Sequence, residues 1–193
     1  RDAQKELNRA LVIRALHSGR AETRVGLVRL TGLKQATITK IVKELVDWGL
    51  VSETTGREAP MGRKPMGLTL NGEKFLLGAA RVNRSYLSCA VYDIAGHEKA
   101  YGQVENRPER GAEASLAALC RLVTDTLARA PGDALALGVA LPGPFNARTK
   151  RITLMSGFPG WAEVDIEAAL QRATGLKVFL EHDANCGAMA ELW

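Results

Sequence analysis

Two sets of residues in this 193-residue chain have types and spacing that could do chemistry. The first lies in Gln35-Ala36-Thr37-Ile38-Thr39-Lys40-Ile41-Val42-Lys43-Glu44-Leu45. Ile38, Ile41, Val42 and Leu45 fall at i, i+3, i+4 and i+7, so one face of a helix starting near Gln35 must be core. Gln35, Ala36, Thr37, Thr39, Lys40 and Lys43 are left for a partner. Small and hydroxylated side chains let a helix approach base edges and lysines reach phosphates, the division of labour of a helix in a DNA major groove. A lysine face can equally be a solvated face, and paired short helices also bind proteins. The second set is Asp183 and Asn185, within Glu181-His182-Asp183-Ala184-Asn185-Cys186. A carboxylate accepts from a hydroxyl and an amide both donates and accepts, which suits a polyol. A lone Asp at the start of a helix also serves as a cap.

The elements that must position the first set are legible around it. Leu27, Val28 and Leu30 supply the buried side of a short helix, Gly32 ends it, and Leu33 plugs the turn, giving a helix-turn-helix over 23–48. Leu7, Leu11, Val12, Ala15 and Leu16 predict an amphipathic scaffold helix over 3–18, stopped by Gly19, with Thr23 placed to accept from a free N–H of the next helix. Strands over 50–55 and 66–70 flank a Gly/Pro/Arg-rich loop and make a two-stranded wing. Arg57, Arg63 and Lys64 in that loop could lie along phosphates or enter a narrow minor groove, where flat cations are favoured. An ordinary polar hairpin loop would read the same way. Charge is asymmetric: residues 1–75 hold 14 Lys+Arg against 8 Asp+Glu, and residues 76–193 hold 12 against 13. A basic front segment fused to a neutral domain fits nucleic-acid binding driven by counterion release.

From Lys74 the composition turns to short apolar runs and one long helical stretch, the pattern of an α/β domain. Strands are expected over 75–80, 87–92 and 98–104, and a helix over 114–130 with Leu116, Cys120, Val123 and Leu127 as its buried stripe. A buried strand over 134–141 runs into Pro142-Gly143-Pro144. That stiff turn lies beyond the carboxyl end of a strand, where open α/β sheets bind ligands. A helix over 165–174, a strand over 177–181 and a final helix follow. No run of some 18 apolar residues and no charged-then-apolar leader is visible, so no membrane partner and a cytoplasmic location are expected. Cys89, Cys120 and Cys186 are odd in number and widely spaced, which argues against disulfides and zinc pairs. A chain that opens on Arg1 is expected to be a piece of something longer.

Taken in order, these motifs carry a resemblance. A winged helix-turn-helix, three strands, a helix, Gly138-Val-Ala-Leu-Pro-Gly-Pro144, Gly160-Trp161 and Glu181-His-Asp-Ala-Asn-Cys-Gly-Ala-Met-Ala-Glu191 together resemble the ROK family of sugar-responsive repressors and sugar kinases. The resemblance implies an operator-binding domain over 1–72. Over 73–193 it implies the first lobe of an incomplete actin-like ATPase, ribonuclease H-like α/β domain whose cleft binds a sugar or sugar phosphate. Gly143, Pro144, Asp183 and Asn185 are then the candidate sugar-binding residues. In the family's kinases the aspartate matching Asp183 takes the proton from the sugar hydroxyl; in a repressor it need only bind. His182 stands where the family usually has asparagine.

Two departures bear on activity. Family kinases carry an Asp-x-Gly-x-Thr loop for ATP phosphates and metal, and here Ala80, Val82 and Arg84 replace its three defining residues. The reading is therefore a non-enzymatic DNA-binding regulator, most naturally a repressor of sugar-metabolism genes, with double-stranded operator DNA, a small sugar effector and a second copy of itself in a dimer as partners. The alternatives are an ATP-dependent sugar kinase with an appended DNA-binding domain and an effector-independent DNA-binding remnant. No cofactor is expected in this chain. The family's zinc motif would lie beyond residue 193, and Cys186 alone cannot hold a tetrahedral ion.

Overall fold

Glycines and caps divide the front of the chain into three helices. The computed structural model describes residues 2–55, 66–143, 145–146, 151–152 and 160–191; Arg57, Arg63, Lys64 and Pro144 lie outside them. Helix α1 (Asp2–His17) ends before Gly19, whose φ of 65° is one that side chains resist. Helix α2 (Arg24–Thr31) is capped by Thr23, whose hydroxyl accepts from the Gly26 N–H at 3.1 Å, and stops at Gly32 in the left-handed region. Helix α3 (Gln35–Asp47) follows after Leu33 and Lys34. Strands β1 (Val51–Thr55) and β2 (Met66–Leu70) then pair antiparallel, Val51 opposite Leu70. The Leu68 N–H donates to the Glu22 carbonyl at 2.8 Å, and Arg24 pairs with Glu53, tying this hairpin to α2.

The core of this unit joins Val12, Ala15 and Leu16 of α1, Leu27 of α2, Ile38, Ile41, Val42 and Leu45 of α3, and Val51 and Leu68 of the hairpin. Each Val, Leu or Ile among them contributes about 1.5 to 3 kcal/mol on burial. Two expectations fail here. Leu7 and Leu11 are exposed, because α1 packs through the face that carries Val12, Ala15 and Leu16 and leaves the neighbouring face open. Leu30 is also exposed, because an eight-residue helix lying on two neighbours buries one narrow stripe, here Leu27 with Val28 half-buried.

The chain divides into two compact units, residues 1–74 with 94–96 and residues 75–93 with 97–193. In the second unit, β3 (Phe75–Val82), β4 (Tyr86–Asp93), β5 (Glu98–Glu105), β6 (Asp133–Leu141) and β9 (Lys177–His182) form a sheet of order β5-β4-β3-β6-β9. The first three strands are antiparallel; β3, β6 and β9 run parallel. Two two-residue strands, β7 (Phe145–Asn146) and β8 (Arg151–Ile152), pair between β6 and β9 in the sequence. Helix α4 (Ala112–Ala128) packs on β4 and β5, and α5 (Ile166–Thr174), capped by Asp165, packs on α4 and β9.

The buried face of α4 is wider than the stripe expected and is centred to one side of it, sharing Val123. It carries Ala112, Ser115, Leu119, Leu122, Val123 and Thr126, while Leu116, Cys120 and Leu127 are half-buried. Ser115 and Thr126 can be buried because each finds a partner. The Ser115 hydroxyl donates to Asn106 Oδ1 at 2.8 Å and the Thr126 hydroxyl to the Leu122 carbonyl at 2.6 Å.

Candidate functional site

In the first unit the residues opposite the buried stripe of α3 form one face. Gln35, Ala36, Thr39, Lys40 and Lys43 are exposed, and Thr37 is half-buried on the flank toward α1. Ile38, Leu45 and Val42 have no solvent exposure, so the helix is held by one side and free on the other. Lys34, at the N-cap, makes no side-chain capping bond. The structure thus brings the six α3 candidates onto one short helix. Arg57, Arg63 and Lys64 fall outside the described residues. Behind α3, Glu44 accepts from Lys5 at 2.9 Å and from Arg9 at 2.6 Å, and these bonds, Lys5 first, hold its carboxyl below the ordinary range. Arg9 also stacks over Trp48, 4.7 Å from the ring centre.

In the second unit the carboxyl ends of the parallel strands collect the other candidates. Leu141 of β6 is in register with His182 of β9, so Gly143 lies two residues past one strand end and Asp183 one residue past its neighbour. Gly143 has φ 89°, which a side chain would resist. Asp183 opens helix α6 (Asp183–Glu191). One of its oxygens is 3.6 Å from Arg81 Nη2 and the other 3.5 Å from His182 Nε2. The Asn185 amide donates to Glu181 Oε1 at 2.9 Å, and the His182 backbone N–H donates to the same oxygen at 2.8 Å. These two bonds, Asn185 first, hold the Glu181 carboxyl below its ordinary value against the opposing effect of burial. One Asn185 N–H is therefore spent inside the protein, and its second N–H and its carbonyl oxygen are left for a ligand. Pro144 lies outside the described residues.

Arg81 escaped the sequence reading, although the signal was present. Inward Ala80 and Val82 alternate with it along β3, so Arg81 must point to the opposite face. Ladder register then aligns it with Ala140 and, through Ala140, with Glu181. Beyond it the chain turns through Asn83-Arg84-Ser85, where the Ser85 N–H donates to Asn83 Oδ1 and the buried Asn106 amide to the Asn83 carbonyl, at 3.1 and 2.7 Å. That turn contains no carboxylate. Among the described residues no three His, Cys, Asp or Glu side chains converge as a metal site requires. Burial, then the neighbouring Glu181 and Asp183, pushes the Cys186 thiol up, so a lone cysteine there does not fit zinc.

A sheet with mixed pairing, helices on it and polar side chains gathered at the ends of its parallel strands makes an α/β unit, here joined to a small helical unit. The ROK family model matches residues 78–193, and the chain belongs to the ROK family. Among its relatives, the DNA-binding transcriptional repressor Mlc of Escherichia coli is 27% identical over 201 residues, covering 98% of this chain and 48% of Mlc. The xylose repressor of Bacillus subtilis is 23% identical over 190 residues, covering 97% and 49%. The crystal structure of a ROK family transcriptional regulator homologous to Mlc superposes with a TM-score of 0.74 at 27% identity, over 97% of this chain and 48% of that one. A ROK hexokinase from Thermus thermophilus superposes with a TM-score of 0.54 at 28% identity, over 60% of this chain and 38% of its own. The chain spans about half the length of the curated relatives it matches.

Proposed function

We propose that the protein is a DNA-binding transcriptional regulator, a repressor of sugar-metabolism genes, that responds to a sugar or sugar phosphate. In this reading α1, α2, α3 and the β1–β2 hairpin are a winged helix-turn-helix of about 72 residues. The remainder is the first lobe of an actin-like, ribonuclease H-like sugar-binding domain. The observation that carries the proposal is the face of α3: small, hydroxylated and basic side chains are exposed on a helix whose opposite side is wholly buried. The names of the repressors to which the chain is similar over nearly its whole length support it. Asp183, Gly143 and the Asn185 carbonyl oxygen would hold sugar hydroxyls, with Arg81 beside them. A dimer would present two α3 helices to a palindromic operator, and such a protein would work in the cytoplasm.

A kinase is the second reading, favoured by the likeness to the hexokinase. Against it stand Ala80 and Val82, both buried where that chemistry needs a carboxylate and a glycine, and the closed Asn83–Ser85 turn. The test is fluorescence anisotropy of labelled duplex DNA with the purified protein, titrated with hexoses, pentoses and their phosphates. Salt-sensitive binding that one sugar weakens is the expected result. No binding to any duplex at low salt would overturn the proposal.

A further inference from the structure

Helix α1 supplies Val12, Ala15 and Leu16 to the core, yet its first two turns share an open groove of about 470 Å³ with the exposed part of α3. Gln4, Lys5 and Asn8 line it from α1, and Ala36, Thr37 and Lys40 from α3. The walls have a common chemistry. Asn8 is half-buried and its carbonyl oxygen accepts from Gln4 Nε2 at 3.0 Å, which turns its two N–H donors away from that bond. Those donors, the Thr37 hydroxyl and the Lys40 ammonium have no hydrogen-bond or ion-pair partner among the described residues. The groove contains one carboxylate, Glu44, and both of its oxygens are occupied by Lys5 and Arg9. Lys5 and Arg9 thus neutralise the one acid and Lys40 adds a third cation to the groove, so the free groups on its walls are donors except for the Gln4 carbonyl oxygen.

A groove of donors with surplus positive charge, contiguous with the face of α3, matches an anion that runs beside bases. We propose that Asn8, with Gln4 and Lys5 of α1, is part of the DNA interface and holds a backbone phosphate of the duplex whose major groove α3 enters. This rests on the DNA-binding reading above and adds to it a contact from an element that carries no recognition residues. Asn8 fixes position and reads no sequence, since a phosphate is the same at every base pair. Its amide suits a phosphate oxygen, because two N–H donors on a short, half-buried side chain give a charge-assisted hydrogen bond at little entropic cost. Lys5 and Lys40 supply the counterion-release part of the same contact.

The experiment uses a duplex that the protein selects from a random pool, with each backbone phosphate of the bound site replaced in turn by a neutral methylphosphonate. Wild type, Asn8→Ala, Lys40→Ala and Lys43→Ala are compared by anisotropy after circular dichroism and thermal melting have established that all are folded. Asn8→Ala is expected to lose about tenfold in affinity on the selected duplex and on random DNA alike. One phosphate should exist whose replacement costs wild type about the same and costs Asn8→Ala nothing further. Lys40→Ala should lower the slope of log affinity against log salt by about one. If Lys43→Ala weakens binding while Asn8→Ala matches wild type, or if Asn8→Ala loses equally at every replaced phosphate, α1 holds no phosphate and only this inference falls. If wild type binds no duplex, the DNA-binding reading and this one fall together.

Discussion

Asp183 sits between two cationic or cation-forming side chains, Arg81 and His182, at 3.6 and 3.5 Å, distances too long for hydrogen bonds. Its acceptor capacity is therefore largely unspent, unlike that of Glu181, which already takes two N–H groups. Replacing Asp183 by Asn keeps shape but can turn a donor toward a sugar hydroxyl and leaves Arg81 without its carboxylate. Mismatched polar groups of that kind cost about 1 to 3 kcal/mol. In operator-binding titrations Asp183→Asn should weaken the response to the sugar by about tenfold to hundredfold and leave sugar-free operator affinity nearly unchanged. The reason is linkage, because an effector shifts a two-state equilibrium only by its differential affinity for the two states. Gly143→Val is the companion variant, since a β-branched residue at φ 89° is strained, and it should weaken the sugar response in the same way if the two segments share one pocket. A response in Asp183→Asn as strong as in wild type would leave that carboxylate as the first residue of a helix and nothing more.

At the level of elements, the proposed DNA-binding role of α3 predicts a division of labour along its exposed face. Lys43→Ala should weaken binding to all duplexes and lower the salt slope by about one, as loss of a phosphate contact does. Thr39→Ala or Gln35→Ala should cost roughly 1 to 3 kcal/mol on the preferred sequence and little on random DNA. Equal losses on both would mean that the helix positions the protein without reading sequence. The β4–β5 hairpin makes a different prediction. Asp93 is buried, and although burial pushes its carboxyl up, Lys99 at 2.9 Å and both the ring and backbone nitrogens of His97 outweigh that and hold it well below the usual range. Its contribution to stability is complete above the ordinary carboxylate value of about 3.9 and is lost as pH falls below that. Asp93→Asn should therefore lower stability at pH 7, on the order of 1 to 3 kcal/mol. It should also flatten the acid limb of a stability profile measured by urea unfolding between about pH 5 and 2. A variant with the wild-type acid limb would show that the hairpin carboxylate plays no part in acid unfolding. Elements of this kind were legible in the sequence where a pattern was both apolar and periodic, as in α3. They were not legible where burial rests on partners: nothing in the local pattern marks Ser115 and Thr126 as buried until Asn106 and the Leu122 carbonyl are in place.

For the molecule as a whole, the order of motifs carried more than any one of them. The main strands and helices from β3 to α6 were legible because short apolar runs are set apart by polar stretches, whereas the two-residue strands β7 and β8 carry no such signal. The neighbourhood of Arg81 and Asp183 was not, because some hundred residues separate them and only the β3-β6-β9 register brings them together. The same register bears on catalysis. Phosphoryl transfer needs a cradle for phosphates and a carboxylate for the metal close to the group that activates the sugar hydroxyl. At the end of β3 this chain places the Ala80 methyl and the Val82 isopropyl inside the core and turns the Arg81 guanidinium toward Asp183. A cation there offsets the charge of the carboxylate that a kinase would use as base and makes it a weaker one. The protein should accordingly release no ADP from ATP in the presence of hexoses, pentoses or N-acetylated hexosamines, in a coupled assay sensitive to less than one turnover per second. Restoring the carboxylate and glycine together, as Ala80→Asp with Val82→Gly, should still give no turnover, because Arg81 and the Asn83–Ser85 turn remain. Sugar-dependent ADP release by the unaltered protein at about 1 to 100 per second, the ordinary range of kinases, would make it an enzyme and reduce its first unit to an appendage.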